Sequence, residues 1–172
     1  VIKTFVIHLL QLDKLKRLLL PLLAALALPT AVNAEVTNDY ILKTNQSKKL
    51  FSERKFSEMK NICEELIEIS PDNPMGYVCK GFALGFVPKS ERKSREALKN
   101  FTKAIELDPE YYEAYFLRGF LQFSMRRREF SKLQMNGCSD MKKAYLNKFP
   151  DALEYVKRQR SFLIKNKCSG FF

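Results

Sequence analysis

The sequence predicts an all-α fold built from a repeated helical unit, and three observations carry the prediction. Residues Cys63 to Pro71 (CEELIEISP) and Phe101 to Pro109 (FTKAIELDP) share one pattern, an amphipathic helical end closed by a proline where a helix can no longer continue. After each proline comes a second shared pattern, Met75 to Phe82 (MGYVCKGF) and Glu113 to Phe120 (EAYFLRGF), whose aromatic residue and glycine keep the same spacing. No stretch combines sustained period-two alternation with hairpin turn signals, which argues against strands. An unrelated helical bundle with the same spacing is the alternative.

At the amino end, Lys14, Lys16 and Arg17 form a basic patch, Leu18 to Leu28 is almost wholly apolar, and Val32-Asn33-Ala34 precedes Glu35. That is the layout of a secretory signal peptide cleaved after Ala34. The apolar run is about half of what crosses a bilayer, and Pro21 interrupts it, which weighs against a membrane anchor. Residues 1–34 are expected to leave as a leader, with translation starting near Leu15. Residues 35–172 are expected to form a single exported domain, in a periplasm, a lumen or the medium.

Within that domain the spacing predicts hairpins over residues 40–73, 74–111 and 112–149, then a last amphipathic helix over 151–166. The first hairpin is degenerate, with Ser47 where the glycine belongs and Phe56, Met59, Cys63, Leu66 and Pro71 following. The second is the best match, although Val87 to Ser94 lengthens its turn. The third starts at Tyr112, is lengthened over Met125 to Gln134, runs through Gly137, Met141 and Ala144, and has its proline displaced to Pro150. The last helix has Leu153, Val156, Phe162 and Leu163 as its expected inner side. It would cap the exposed end of the array.

These patterns resemble the tetratricopeptide repeat (TPR), a helical hairpin of about 34 residues. The family's first helix carries an aromatic and then a small residue, filled here by Tyr77 with Gly81 and by Tyr115 with Gly119. Its second helix carries small, aromatic, alanine and closing proline positions, filled by Ala97, Phe101, Ala104 and Pro109. The resemblance implies an α-α superhelix of about three stacked hairpins, in which small residues let paired helices approach and aromatics fill the space between them.

It also implies a function. First helices of such arrays line a groove that receives peptides or helices, so the implied partner-binding positions are Val78, Phe82, Phe86, Phe116, Phe120 and Phe123. Phe82 and Phe86 share a helical face, as do Phe116 and Phe120. The alternative is that these rings are plain core. A groove of this composition suits an apolar segment or an amphipathic helix. Chaperone-binding members instead grip a carboxylate with cations; the corresponding residues here are Thr44, Lys48, Cys79, Glu113 and Leu117, of which only Lys48 is a cation.

Composition argues against catalysis. The single histidine, His8, lies in the leader, so the remaining chain has no imidazole base or metal ligand. Glu64, Glu65 and Glu68 are the carboxylates weighed for catalysis, and solvated charge is their ordinary reading. No cofactor or metal is expected.

The formal net charge is +11. Arg54 and Lys55, then Lys89, Arg92 and Lys93, then Arg126, Arg127 and Arg128 are expected in turns that merge into one basic edge. That edge suits an anionic membrane surface or an acidic partner, with simple solvation as the alternative. Nucleic acid is not expected, since no recognised motif accompanies the charge.

All four cysteines follow the leader, and export permits disulfides. Cys138 with Cys168, and Cys63 with Cys79, are the favoured pairings; buried free thiols are the alternative.

Overall fold

The computed structural model describes residues 37–85, 90–125, 132–165 and 168, so the expected leader, Phe86, Lys89 and Arg126 to Arg128 lie outside the described residues. The chain divides into two compact units, residues 1–42 and residues 43–172. In the first, residues 37–42 are helical. The second contains α1 (residues 43–52), α2 (Phe56–Ile69), α3 (Pro74–Gly85), α4 (Glu91–Leu107), α5 (Tyr112–Ser124), α6 (Lys132–Leu146) and α7 (Pro150–Lys165). Among the described residues there is no strand. The all-α expectation is borne out.

Each helix follows from its apolar spacing. In α2, Met59, Ile62, Cys63 and Leu66 recur at helical intervals and are all buried. In α4 the buried stripe is Ala97, Phe101 and Ala104, each fully covered, while the opposite face is charged. Prolines bound the helices without breaking them: Pro71 and Pro109 follow helix ends, and Pro74 and Pro150 open α3 and α7. Pro150 thus begins the next helix instead of closing α6.

Two turns use left-handed residues where glycine is usual. Arg54 (φ 57°) and Lys148 (φ 59°) each terminate a helix. The next amide in each case donates back to the preceding helix, Lys55 N–H to the Leu50 carbonyl at 2.9 Å and Phe149 N–H to the Ala144 carbonyl at 3.0 Å.

Consecutive helices pack pairwise from α2 through α7, and α3 also touches α5. Close approach depends on particular glycines. A Cβ on Gly81 would lie 2.7 Å from the Phe101 ring, so α3 and α4 nest through that pair. A Cβ on Gly119 would lie 2.8 Å from the Gly137 carbonyl oxygen and 3.2 Å from the Met141 amide nitrogen. There α5 and α6 meet backbone to backbone. A side chain can rotate out of the way and a backbone cannot. Gly119→Ala is therefore expected to cost about 1–3 kcal/mol, read from urea unfolding. A loss below ~0.5 kcal/mol, the range of an ordinary surface substitution, would count against the close approach.

Polar contacts lock the same helix pair. Arg118 on α5 donates from Nε and Nη2 to both carboxylate oxygens of Asp140 on α6, at 2.7 and 2.8 Å, and from Nη1 to Thr102 Oγ1 on α4 at 2.9 Å. Lys143 Nζ donates to the Tyr115 hydroxyl at 2.7 Å. One residue set thus pins α4, α5 and α6.

Two disulfides cross between elements. Cys63–Cys79 joins α2 to α3 with Cα atoms 5.5 Å apart, and Cys138–Cys168 joins α6 to the segment beyond α7 with Cα atoms 5.6 Å apart.

Two expectations need correction. Leu153 does not face inward; it is 38% exposed, because Ala152 and Val156, one helical turn apart, form the buried stripe that continues to Leu163. Arg92 and Lys93 do not sit in a turn. The Ser90 hydroxyl accepts from the Lys93 amide and caps α4, so both residues fall in its first turn.

Candidate functional site

The candidate site is a groove lined chiefly by α1, α3, α5 and α7. Two cavities compose it and share Phe82. The first, about 370 Å³, is bounded by Ser47, Lys48 and Phe51 of α1, by Met75, Val78, Cys79 and Phe82 of α3, and by Glu113 of α5. The second, about 390 Å³, is bounded by Phe82, by Phe116, Leu117 and Phe120 of α5, and by Asp151, Glu154, Tyr155 and Arg158 of α7.

First helices of successive hairpins share one side of the stack, as the α3–α5 contact shows. Phe82 and Phe120 each directly follow a packing glycine, and Val78 and Phe116 lie one turn before them, so each pair shares the face turned to that side. The aromatic rings meet in two groups. Phe51 and Phe82 stack edge-on at 5.0 Å, and Phe51 is 47% exposed. Phe116 packs on Phe120, Phe149 and Tyr155, and Tyr155 meets Phe120 edge-on at 5.4 Å.

Of the six positions singled out for the groove, Val78, Phe82, Phe116 and Phe120 line these cavities. Val78 and Phe116 are buried in its floor, while Phe82 and Phe120 are half-buried. Phe123 packs against the core and lines neither cavity. Phe51, Tyr155 and Asp151 are groove residues that sequence reasoning missed, whereas Lys48, Cys79, Glu113 and Leu117, named as the counterparts of the carboxylate grip, do line the two cavities. The signal of the missed residues was weak, since α1 and α7 lack the aromatic–glycine spacing that marks α3 and α5.

The groove is not uniformly apolar. Burial in its wall pushes the Glu113 carboxyl above the usual carboxylate range, the negative charge of Asp151 pushes it further, and Lys48 pulls the other way. By accessible surface, however, Glu113 is exposed, so it stands at the rim of the groove and not in its interior.

The basic residues fall into separate places. Arg92 and Lys93 border a recess of about 270 Å³ with Lys60, Phe56 and Glu96, while Lys55 is paired with Glu53 at 2.9 Å. The acidic residues of α2 are also engaged: Glu64 accepts from Lys60 and Lys80, each at 2.8 Å, and Glu65 accepts from Lys43. The bond from Lys60, then that from Lys80, holds Glu64 below the usual carboxylate range. Among the described residues no helix is long and apolar enough to cross a membrane.

Fold and groove together define a class, an array of helical hairpins with an aromatic channel along its first helices. No family model matches the chain. A UDP-N-acetylglucosamine–peptide N-acetylglucosaminyltransferase from Giardia intestinalis is 30% identical over 60 residues. The match covers 35% of this chain and 4% of that protein, so this chain spans only a small part of its relative's length.

Proposed function

We propose that this chain is an exported TPR-type interaction module, an adaptor or assembly factor without catalysis of its own, that binds a protein segment in the aromatic groove. The observation that carries the reading is that two cavities, both lined by Phe82, lie along α1, α3, α5 and α7. A bound helix or extended segment needs that length of surface, and half-buried Phe82 and Phe120 offer it residual apolar area worth about 0.5–1 kcal/mol each. The two disulfides suit an oxidising compartment, in keeping with the leader. The partial likeness to the Giardia transferase covers too little of that protein to carry its activity over.

The test is affinity capture from the exported compartment, comparing wild type with Phe82→Glu plus Phe120→Glu. The variant is expected to lose its partner while keeping a cooperative thermal transition. Recovery of the same partner by a folded variant would sink the reading. A second reading rests on Lys60, Arg92 and Lys93 meeting around one recess, which suits an anionic surface. Binding by that route falls steeply between low and moderate salt and ignores the Phe82 and Phe120 changes.

A further inference from the structure

A separate cleft of about 780 Å³ lies between α4 and α6, with α5 as its floor. Helix α5 serves both places. Phe116 and Phe120 enter the groove, while Arg118 and Gln122, each two residues further on and so about 200° around the helix, line the cleft. Arg118 is committed to Asp140 and Thr102, so the charge of that carboxylate is already answered. Gln122 is not answered. Its side chain is 6% exposed, and the buried Oε1 has no hydrogen-bond partner among the described residues. The amide lies beside the α6 backbone, where a Cβ on Gly137 would stand 3.3 Å from that oxygen. Packing α5 on α6 needs only an apolar side chain at this position, so a covered amide without a partner points to a ligand from outside the chain. The α4 wall of the cleft carries Lys99 and Lys103. Lys99 has no ion pair among the described residues, and Lys103 meets Glu106 only at 3.9 Å.

We propose that this cleft is a second binding surface, which takes an extended acidic segment of a partner protein. Three features select that chemistry. A primary amide carries a donor and an acceptor side by side, the complement of one peptide unit, and the last torsion of a glutamine is soft enough to turn it toward the cleft. Lys99 and Lys103 stand one helical turn apart, about 6 Å along α4. Side chains two positions apart on an extended chain are separated by about 6.6 Å, so an acidic residue, any residue and a second acidic residue match the two lysines. The stripe from Leu98 to Glu106 is about 12 Å long, enough for about four extended residues. This surface is independent of the groove. With both in use, the protein holds two polypeptides on opposite sides of α5.

The experiment screens capped octapeptides, with glutamate at the fourth and sixth places and the other six randomised, against the whole protein. The best binder is expected to weaken about tenfold or more on Lys99→Glu, and as much on Gln122→Met. Gln122→Met keeps the shape of the side chain and removes an unpartnered amide, so it is expected to unfold at no lower urea concentration than the wild type. That combination separates lost binding from lost folding, and Lys99→Glu at an exposed position carries the test if Gln122→Met unfolds early. Exchanging both peptide glutamates for glutamine should cost about tenfold on the wild type and almost nothing on Lys99→Glu. The Phe82→Glu plus Phe120→Glu variant should bind the peptide unchanged. A library without a saturable binder below about 100 μM overturns the proposal. So does a binder indifferent to both Lys99→Glu and Gln122→Met. A binder lost on Phe82→Glu plus Phe120→Glu sits in the groove, which overturns the second surface and leaves the first standing.

Discussion

Replacing Phe101 with alanine is expected to lower the unfolding free energy by about 3–5 kcal/mol, the range for a fully buried ring. Phe101 has no exposed surface, and among the described residues it is the largest side chain to be so covered. Its ring fills the space left by the absent side chain of Gly81, so the gap on truncation opens between two helices whose backbones are already close. Those backbones cannot collapse much further, and the cavity persists. The reciprocal change, Gly81→Ala, presses a methyl group into the ring. Combined with Phe101→Leu it should cost less than the sum of the two single changes, because the smaller side chain yields room. Urea unfolding of the four proteins gives the coupling. Strict additivity would mean that the two positions do not touch.

The second large effect is expected from Cys138→Ser plus Cys168→Ser. The bridge closes a loop with a sequence separation of 30, so its removal should cost about 3–4 kcal/mol on chain-entropy grounds. Cys63–Cys79 closes a separation of only 16 and should contribute about 0.5 kcal/mol less. Both effects are read from thermal or urea unfolding of the serine variants against the oxidised wild type. A double variant at Cys138 and Cys168 as stable as the wild type would show that the end of the chain holds without its crosslink.

The helices were legible where two levels of pattern agreed. Tyr77 with Gly81, Tyr115 with Gly119, and Ala97-Phe101-Ala104 announce themselves because each small residue meets a partner in the adjacent helix, so spacing along the chain encodes contact across it. Leu153 misled because α7 lacks that second level. Its apolar residues allow more than one inward face, and contact with α6 selects Ala152 and Val156. Arg92 and Lys93 misled for a different reason: charge suggested a turn, whereas Ser90 followed by Glu91 is a helix start.

The candidate site was legible by halves. Phe82 and Phe120 follow from register within α3 and α5. Phe51 and Tyr155 do not, because their place depends on how α1 and α7 lie beside those helices, and no local spacing reports it. Glu113 was visible only as a residue out of keeping with a carboxylate grip. The effect of the Asp151 charge on it depends on tertiary placement, which no local spacing reports.

Arrays of this kind ordinarily fray from their outermost unit, since that unit has a neighbour on one side only. Among the described helices α7 packs chiefly on α6, with Tyr155 reaching the Phe116 and Phe120 rings of α5, and so few contacts leave it ready to peel away. The covalent tie from α6 to the residue beyond α7 denies it that freedom. Opening of the terminal helix is thereby coupled to disruption of the unit beneath, and amide exchange along α7 should track that of α6 under oxidising conditions and decouple when thiols are freed. Reductant thus acts on the wall of the groove that carries Tyr155 and Asp151, turning a fixed surface into one that comes and goes.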